Sequence, residues 1–399
     1  MPRQIYLDNA ATTNVLSEVV EAMLPYFLED YGNPSSLYKF GQDAQSAIAE
    51  ARARIAGHLG ALPQDIYITS CGSESNNWAL KSTADAYKDK GKHIITSAIE
   101  HHATSHSTEW LEEHGFEITY LPVDSDGLID PNDLKAALRK DTILVSIIFG
   151  NNEIGTIQPI KELAAIAHQQ GVLFHTDAVQ TVAHIPIDVN DLGVDMLSAS
   201  AHKFHGPKGI GFLYIRKGVK IRSFIHGGAQ ERKRRAGTEN VPYIVGMAKA
   251  LDICMADFDK RVEHELKLRD HLIDRVLAEV DHVRLNGHRT ERLPNNTNFS
   301  FEFVEGESLL LSLEQKGILA SSGSACASGS LDPSHVLLAI GLPHEIAHGS
   351  LRLTLGEETT LADIDYTVEA IKEVVANLRK MSPLYEDFVQ GKKALSAIK

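Results

Sequence analysis

The residue with the clearest chemical potential in this sequence is Lys203, which follows the small and apolar run 196–201. His202 precedes it, His205 lies two residues beyond it, and a Gly/Pro-rich turn leads into a second apolar run at 210–215. Where apolar residues surround a lysine at the end of a strand, desolvation lowers the pKa of its amine, and the neutral amine can form a Schiff base. Taken alone, the stretch also fits an ordinary solvated lysine that ends a strand.

Other polar residues follow short apolar runs in the same way. Asp177 comes just after the run 172–175 and needs an Arg, a Lys, a metal or a protonated cofactor nitrogen as its partner, because an unpaired buried charge is costly. The hydroxyl-rich segment 70–75 suits either an anion at a helix N-terminus or an ordinary helix cap. His101 and Asn152 follow two further runs, and no carboxylate or cysteine stands near His101 at a known metal-ligand spacing.

Short apolar runs alternate with helical patterns along much of the chain. The runs are 66–69, 93–97, 143–149, 172–175, 196–198 and 211–215. Strands that alternate with helices predict an α/β fold, in which helices cover both faces of a mostly parallel sheet. Ligands of such sheets bind at the carboxyl ends of the strands, so we expect the polar residues above to lie along one edge.

The second half of the chain has a different pattern. A long amphipathic region, 241–280, predicts one helix, and we place a domain boundary inside it near residue 260. The prediction is a large α/β domain of residues 15–260 and a smaller α+β domain of residues 1–14 and 261–399.

Composition and charge disfavour several classes of protein. A net charge of −14 over 399 residues argues against nucleic-acid binding, which depends on cationic contacts to phosphate. No apolar stretch approaches the length of a membrane helix, so no membrane partner is predicted. Three scattered cysteines make no disulfide framework, and the start of the chain lacks signal-peptide features, which predicts a reducing, cytoplasmic location.

The polar strand ends together match the needs of one cofactor, pyridoxal 5′-phosphate (PLP). PLP requires a lysine for a Schiff base, a carboxylate that pairs with its protonated ring nitrogen, and a cradle for its phosphate. Lys203, Asp177 and the segment 70–75 meet these needs. A dinucleotide site is disfavoured, because no Gly-x-Gly-x-x-Gly motif follows a predicted strand.

The sequence also carries long, ordered motifs that are shared with a known family. They are DNAATT at 8–13, GNPSS at 32–36, NNEIGT at 151–156, HTDAVQ at 175–180, SAHKFHGPKG at 200–209, RAGTEN at 235–240, SSGSAC at 321–326 and LRLTL at 351–355. Over about its whole length the chain resembles the cysteine desulfurases of the NifS/IscS type, which are class-V aminotransferases. The resemblance implies the PLP fold type I, the aspartate aminotransferase-like fold.

The resemblance implies roles for the residues that would hold the cofactor. Lys203 would bind PLP and later move the α-proton of the substrate, Asp177 would pair with the ring nitrogen, and His101 would stack on the ring and act in catalysis. The Glu-His-x-Ala motif favours His101 over His102 for that position. The residues implied to hold the phosphate are Gly72, Ser73, Ser200, His202 and, across the interface of a homodimer with shared sites, Thr238 of the partner subunit.

Three further residues have roles implied by the resemblance. Asn152 and Gln180 would orient the ring and its hydroxyl group. Arg352, together with Asn152, would bind the substrate, and its planar guanidinium suits a clamp on the substrate carboxylate.

Cys326 lies in a Ser/Gly-rich segment with no flanking apolar run, so we expect an exposed and mobile thiol. A free thiol has a pKa of about 8.5, so Cys326 needs some activation to the nucleophilic thiolate. The resemblance implies that Cys326 takes sulfur from L-cysteine as a persulfide, leaving L-alanine. It would pass the sulfur to an iron–sulfur scaffold, where Cys326 is a candidate transient metal ligand.

Other functions fit parts of the same pattern. A selenocysteine lyase or an aminotransferase of the same fold is the nearest alternative, although Ser-Ser-Gly-Ser-Ala-Cys differs from the Arg-x-Gly-x-x-Cys motif of the group that includes selenocysteine lyases. A non-catalytic sulfur-trafficking or metal-binding protein is suggested by the 19 histidines, but these are dispersed rather than clustered at ligand spacing.

Overall fold

The computed structural model describes residues 4–322 and 333–391. Its strands are β1 (Ile5–Tyr6), β2 (Ile66–Thr69), β3 (His93–Ser97), β4 (Glu117–Leu121), β5 (Thr142–Ile148), β6 (Leu173–Asp177), β7 (Met196–Ser200), β8 (Gly211–Ile215), β9 (Val283–Leu285), β10 (Asn296–Phe301), β11 (Ile318–Leu319) and β12 (Ser350–Thr354). Seven of them form one sheet in the order β2-β8-β7-β6-β5-β3-β4. β8 is antiparallel to both of its neighbours, and the other pairs are parallel. The prediction of a mostly parallel α/β sheet is confirmed.

Helices connect most of the strands. They are α1 (Ser17–Met23), α2 (Pro25–Leu28), α3 (Lys39–His58), α4 (Gly72–Tyr87), α5 (His102–Glu113), α6 (Pro131–Ala137), α7 (Ile160–Gln169), α8 (Val189–Leu192), α9 (Gln230–Lys233), α10 (Val241–Ala256), α11 (Phe258–Glu279), α12 (Gly306–Gln315), α13 (His335–Ala339), α14 (His344–Ala347), α15 (Leu361–Lys380) and α16 (Pro383–Val389). Short 3-10 turns occupy Pro63–Asp65 and Ala201–Lys203. No helix within the described ranges is long and apolar enough to cross a membrane.

The large sheet is buried on both faces. Successive residues of a strand point to opposite sides. Ile95 of β3 and Val145 of β5 therefore lie in one core with α3, α7 and α10, whereas the preceding Ile94 and Leu144 lie in another core with α4 and α5. Strands covered on both faces are apolar throughout. This explains why unbroken apolar runs predicted them correctly.

The sequence prediction missed β4, which is at the edge of the large sheet. Its side chains range from exposed to buried along the strand, and Tyr120 is 40% exposed. Because an edge strand has fewer covering neighbours, it keeps polar residues and lacks the continuous apolar run that marks the central strands.

A second core lies around a smaller, antiparallel sheet of order β12-β10-β9. Phe299 of β10 and Leu351 of β12 pack there with Leu272 of α11, Leu309 of α12 and Val368 of α15. β1 pairs with β11 in a separate two-stranded sheet, and Leu7 and Ile318 pack in the same core.

The single long helix predicted for residues 241–280 is wrong. Asp257 separates α10 from α11 and has non-helical dihedral angles, with φ −114° and ψ 28°. The two helices serve different cores, since Leu251 of α10 packs beneath the large sheet and Leu268 of α11 packs beneath the small one. This division supports a boundary near residue 260, and the full domain bounds given above stay a prediction.

Candidate active site

A cavity of about 420 Å³ lies where several strands of the large sheet end. Residues that follow β2, β3, β5, β6 and β7 form its walls, together with Ala10, Ala11 and a residue of β12. The predicted site residues in its lining are Gly72, Ser73, His101, Asn152, Asp177, Gln180, Ser200, His202, Lys203 and Arg352. Among the residues that the structure describes, it thus brings together the predicted set except for Thr238.

Lys203 ends the 3-10 turn that follows β7. Its amine donates hydrogen bonds to the backbone carbonyl oxygens of Ala10 and Ala11, the second at 2.9 Å. Gln180 donates from Nε2 to the same Ala10 oxygen, also at 2.9 Å. These hydrogen bonds attach Ala10 and Ala11 to the carboxyl ends of the strands of the large sheet, where they form part of the cavity wall.

Asp177 is the last residue of β6, is only 3% exposed, and lines the cavity. Its Oδ1 accepts a hydrogen bond from the backbone N–H of Val179 at 3.0 Å, and its Oδ2 accepts one from Nδ2 of Asn76 at 2.5 Å. Asn76 was not predicted, although its position four residues after Gly72 places both on the same side of α4. A buried carboxylate that borders a cavity suits a protonated ring nitrogen.

The other end of the cavity has the features of an anion site. Gly72 and Ser73 begin the 16-residue helix α4, whose free N–H groups favour a phosphate. A Cβ atom at Gly72 would lie 2.5 Å from Cγ2 of Val179, so the position has no room for a larger residue. The buried Oγ of Ser200 has no hydrogen-bond partner among the described residues. Burial, together with the charges of two nearby lysines, lowers the pKa of His202 to about 4, so its ring is neutral.

His101 caps the N-terminus of α5 through its ring. Nδ1 accepts a hydrogen bond from the backbone N–H of Ala103 at 3.0 Å, so the proton of the neutral ring is on Nε2. Burial lowers the pKa of His101, an effect that nearby Asp177 opposes. His102 also lines the cavity, with its ring centre 6.3 Å from that of His101.

Arg352 of β12 enters the cavity from the smaller sheet. One terminal nitrogen donates to the backbone carbonyl of Asn152 at 3.0 Å, and the other donates to Oδ1 of Asp8 at 2.9 Å. Its buried Nε has no partner among the described residues. The guanidinium is therefore fixed in position and still has donors for a carboxylate. Asp8 stood in a recognised motif but had no predicted role.

Two buried carboxyl groups near the cavity were also missed. Burial raises the pKa of Glu100 to about 8 and that of Glu153 to about 7. Glu153 lines the cavity, whereas Glu100 is held below it by Ser97 and the backbone N–H of Ile148. The sequence did offer a signal for both residues. Glu100 and Glu153 are charged, and each follows a predicted buried strand, directly before or within a polar turn.

One predicted site residue, Thr238, lies outside the cavity. Thr238 lines a separate pocket with Gly237 and Arg235, and Arg235 pairs with Glu74 of α4 at 2.9 Å. The predicted contact of Thr238 with the cofactor phosphate in the partner subunit's site stays a prediction. Cys326 lies outside the described residues. Within residues 4–322 and 333–391, no group of three or more His, Cys, Asp or Glu residues is arranged to hold a metal ion.

These features fit PLP. The cavity offers an amine on Lys203, a buried carboxylate on Asp177, and a helix N-terminus beside an unpartnered hydroxyl on Ser200. Each of these matches a different part of the cofactor: the aldehyde, the ring nitrogen and the phosphate. The fold and the cavity thus assign this protein to the class of PLP enzymes that are built on a mostly parallel sheet.

Comparison with known proteins gives the family. The aminotransferase class-V profile matches residues 5–367. The chain is 59% identical to the cysteine desulfurase IscS of Methanosarcina thermophila, over 96% of this chain and 94% of that protein. It is 56% identical to the cysteine desulfurase IscS of Dictyoglomus turgidum, over 99% of this chain and 100% of that protein. A solved structure of a NifS-like protein superposes with a TM-score of 0.88 at 40% identity, covering 94% of this chain and 100% of that one.

The chain therefore belongs to the class-V aminotransferase family of PLP-dependent enzymes and, within it, to the cysteine desulfurases. The predictions of the fold class, the PLP cofactor and the enzyme class are confirmed.

Proposed function

We propose that this enzyme converts L-cysteine to L-alanine, keeps the sulfur as a persulfide on Cys326, and passes it to an acceptor for iron–sulfur cluster assembly. The observation that carries the proposal is the meeting of Lys203, Asp177 and Arg352 in one cavity. Together they offer an amine, a partner for a cofactor nitrogen, and a clamp for the carboxylate of an amino acid.

The sheet side of the cavity would hold the cofactor. Lys203 would bind it covalently, Asp177 would pair with its ring nitrogen, and His101 would stack on the ring, with Asn152 and Gln180 orienting it. The residues that would hold its phosphate are Gly72, Ser73, Ser200 and His202, with Thr238 of the partner subunit. When bound, PLP supplies an electron sink that makes the α-proton of an amino acid removable.

The substrate would be oriented by Arg352 and handled by Lys203. The guanidinium, fixed by Asp8 and the carbonyl of Asn152, binds the α-carboxylate of L-cysteine. The Lys203 amine lies at the end of β7 in the same cavity, and it removes the α-proton. His101 also lines the cavity, and with its ring proton on Nε2 it would serve as a proton donor there.

Sulfur transfer would occur at Cys326. The Cys326 thiolate attacks the sulfur of the substrate, an S–S bond forms, and the C–S bond breaks. The β-carbon gains a proton and becomes the methyl group of L-alanine. The carbon is reduced as the sulfur is oxidised, so the step needs no external oxidant.

The proposed setting is a cytoplasmic homodimer. A reduced thiol at Cys326 is required in every cycle, which suits a reducing compartment. In one chain Thr238 is away from the cavity, which supports a contribution to the partner's site. The acceptor is an iron–sulfur scaffold protein, where Cys326 would be a transient ligand.

The test compares two cysteine variants. With L-cysteine, Cys326→Ala should keep its bound PLP but form almost no alanine and no protein persulfide. Cys254→Ala is the matched control, because burial raises the pKa of the Cys254 thiol to about 12 and excludes it from thiolate chemistry. Normal alanine production by Cys326→Ala would show that the sulfur is not captured there, and a keto-acid product would indicate an aminotransferase.

A further inference from the structure

The cavity contains a carboxyl group to which the proposed function gives no role. Glu153 lies in the turn after β5, lines the cavity and is 5% exposed. Its Oε2 accepts a hydrogen bond from the hydroxyl of Ser334. The described residues make no hydrogen bond to its Oε1. Because Glu153 lines the cavity and Ser334 holds Oε2, Oε1 is the oxygen left to face the cavity.

The hydrogen bond from Ser334 fixes which oxygen of Glu153 is free. The hydroxyl oxygen of Ser334 accepts the backbone N–H groups of Val336 at 3.1 Å and Leu337 at 3.3 Å, as the cap of α13. With both acceptor positions in use, its proton points to Oε2 of Glu153. The carboxyl group is held from one side, and it presents Oε1 to the cavity.

The charge next to Glu153 indicates which part of a substrate would meet it. Arg352 is close enough to stabilise the ionised form of Glu153, and it is also the proposed clamp for the substrate carboxylate. In an α-amino acid the carboxylate and the ammonium are attached to the same carbon. A substrate held by Arg352 therefore brings its ammonium group to the end of the cavity where Glu153 lies.

We propose that Glu153 is the base that removes a proton from the α-ammonium group of the bound amino acid. An N–H bond of the ammonium breaks, an O–H bond forms at Oε1, and the electron pair stays on nitrogen. The amine becomes nucleophilic, as reaction at a carbonyl-derived carbon requires. The proton returns when the product amino acid leaves as an ammonium. This role deepens the proposed function and rests on it.

The environment of Glu153 supports this role. Burial raises its pKa to about 7, although the Ser334 hydroxyl and Arg352 favour the ionised form. An ordinary carboxylate is a weak base, and a base is most effective when its pKa is near the working pH. Arg352, the charged group beside Glu153, is itself paired with Asp8, which lies shortly after β1. The other titratable groups in the cavity lining are Cys71, His101, His102, Asp177, His202, Lys203 and His335.

The first test uses Glu153→Gln, which keeps the size of the side chain and removes the base. At neutral pH, kcat/KM for L-cysteine should fall about 10²-fold, the lower range for loss of a general base. The deficit should shrink as the pH rises toward the pKa of the free amino acid's amine, because the substrate then arrives deprotonated. A deficit of the same size at every pH would mean a structural role and would overturn the proposal.

Glu265→Gln is the matched control. Glu265 is also buried, and burial raises its pKa to about 7, but it lies on α11 beside Arg261 and away from the cavity. Its variant should keep the wild-type pH profile. Glu153→Asp retains a carboxyl group and should recover part of the lost rate. If Glu153→Gln does not fold, Glu153→Asp still tests the proposal: its shortened reach should lower kcat/KM at neutral pH, and a wild-type kcat/KM at every pH would overturn the proposal.

A second readout counts protons without turnover. The holoenzyme is titrated with L-alanine by calorimetry, slightly above neutral pH, in two buffers of different ionisation enthalpy. Wild type should keep the ammonium proton on Glu153, and Glu153→Gln should release about one more proton per site to the buffer. Equal proton release would overturn the proposal. This outcome is independent of sulfur capture at Cys326, so failure here and failure of the proposed function can be told apart.

Discussion

Two walls of the cavity are ordered in different ways. The first, which we call the sheet wall, consists of residues at strand ends of the large sheet: Gly72, His101, Asp177, Ser200 and Lys203. The second, the clamp wall, consists of the cavity residues Glu153 and Arg352 together with the side chains that hold them from behind, Ser334 and Asp8, which come from distant parts of the chain.

The walls differ in how their charged groups are held, although each keeps an unpartnered buried polar atom, Oγ of Ser200 and Nε of Arg352. In the sheet wall Ser200 keeps an unpartnered buried hydroxyl, and Asp177 has hydrogen bonds but no ion pair among the described residues. In the clamp wall, hydrogen bonds span 181 residues between Glu153 and Ser334 and 344 residues between Arg352 and Asp8. Under the proposed function, we expect the cofactor to provide the charged partner of Asp177, whereas Arg352 is already held by Asp8 before a substrate binds.

The largest expected effect is in the sheet wall, at Lys203. Lys203→Ala should lower the rate of alanine formation by about 10⁴-fold, the upper range for loss of an acid–base group, because both covalent cofactor binding and proton removal are lost. The visible spectrum of the cofactor should change at the same time. Lys208→Ala, an exposed lysine nearby, is the control and should keep most activity. Wild-type turnover by Lys203→Ala would contradict the roles proposed for Lys203 in cofactor binding and proton removal.

A smaller and different effect is expected in the clamp wall. Arg352→Lys keeps the charge but loses the planar fork, so the KM for L-cysteine should rise about 10- to 100-fold, as expected for losing a charge-assisted hydrogen bond. The amount of bound PLP should not change, as measured by release on denaturation. If Arg352→Lys loses its cofactor instead, the two walls are not separate in function.

The smallest effect is expected at Ser200. Ser200→Ala removes the unpartnered hydroxyl that we assign to the phosphate, at a cost of about 1 kcal/mol, or roughly fivefold in PLP affinity. The KM for L-cysteine should stay close to wild type once PLP is saturating. Equilibrium titration of the apo-protein with PLP measures the change. An effect on the KM without a change in PLP affinity would assign Ser200 to the clamp wall.

The sequence predicted the central strands because burial on both faces makes them continuous apolar runs. It missed the edge strand β4 and the break at Asp257, where neither strong breakers nor periodicity marked the change. It predicted the strand-end residues of the cavity because the carboxyl ends of parallel strands always meet at one edge. It missed Asn76, whose partner Asp177 is 101 residues away.

By itself, the sequence determined the fold class and the cofactor, and it predicted Lys203 as the reactive lysine, because these depend on local patterns and on the order of the motifs. Tertiary structure alone decided how Arg352 is held by Asp8 and which oxygen of Glu153 borders the cavity. A charge in a sequence does not reveal its partner. Only the packing of the smaller sheet against the strand ends brings these groups into contact and sets how readily each one ionises.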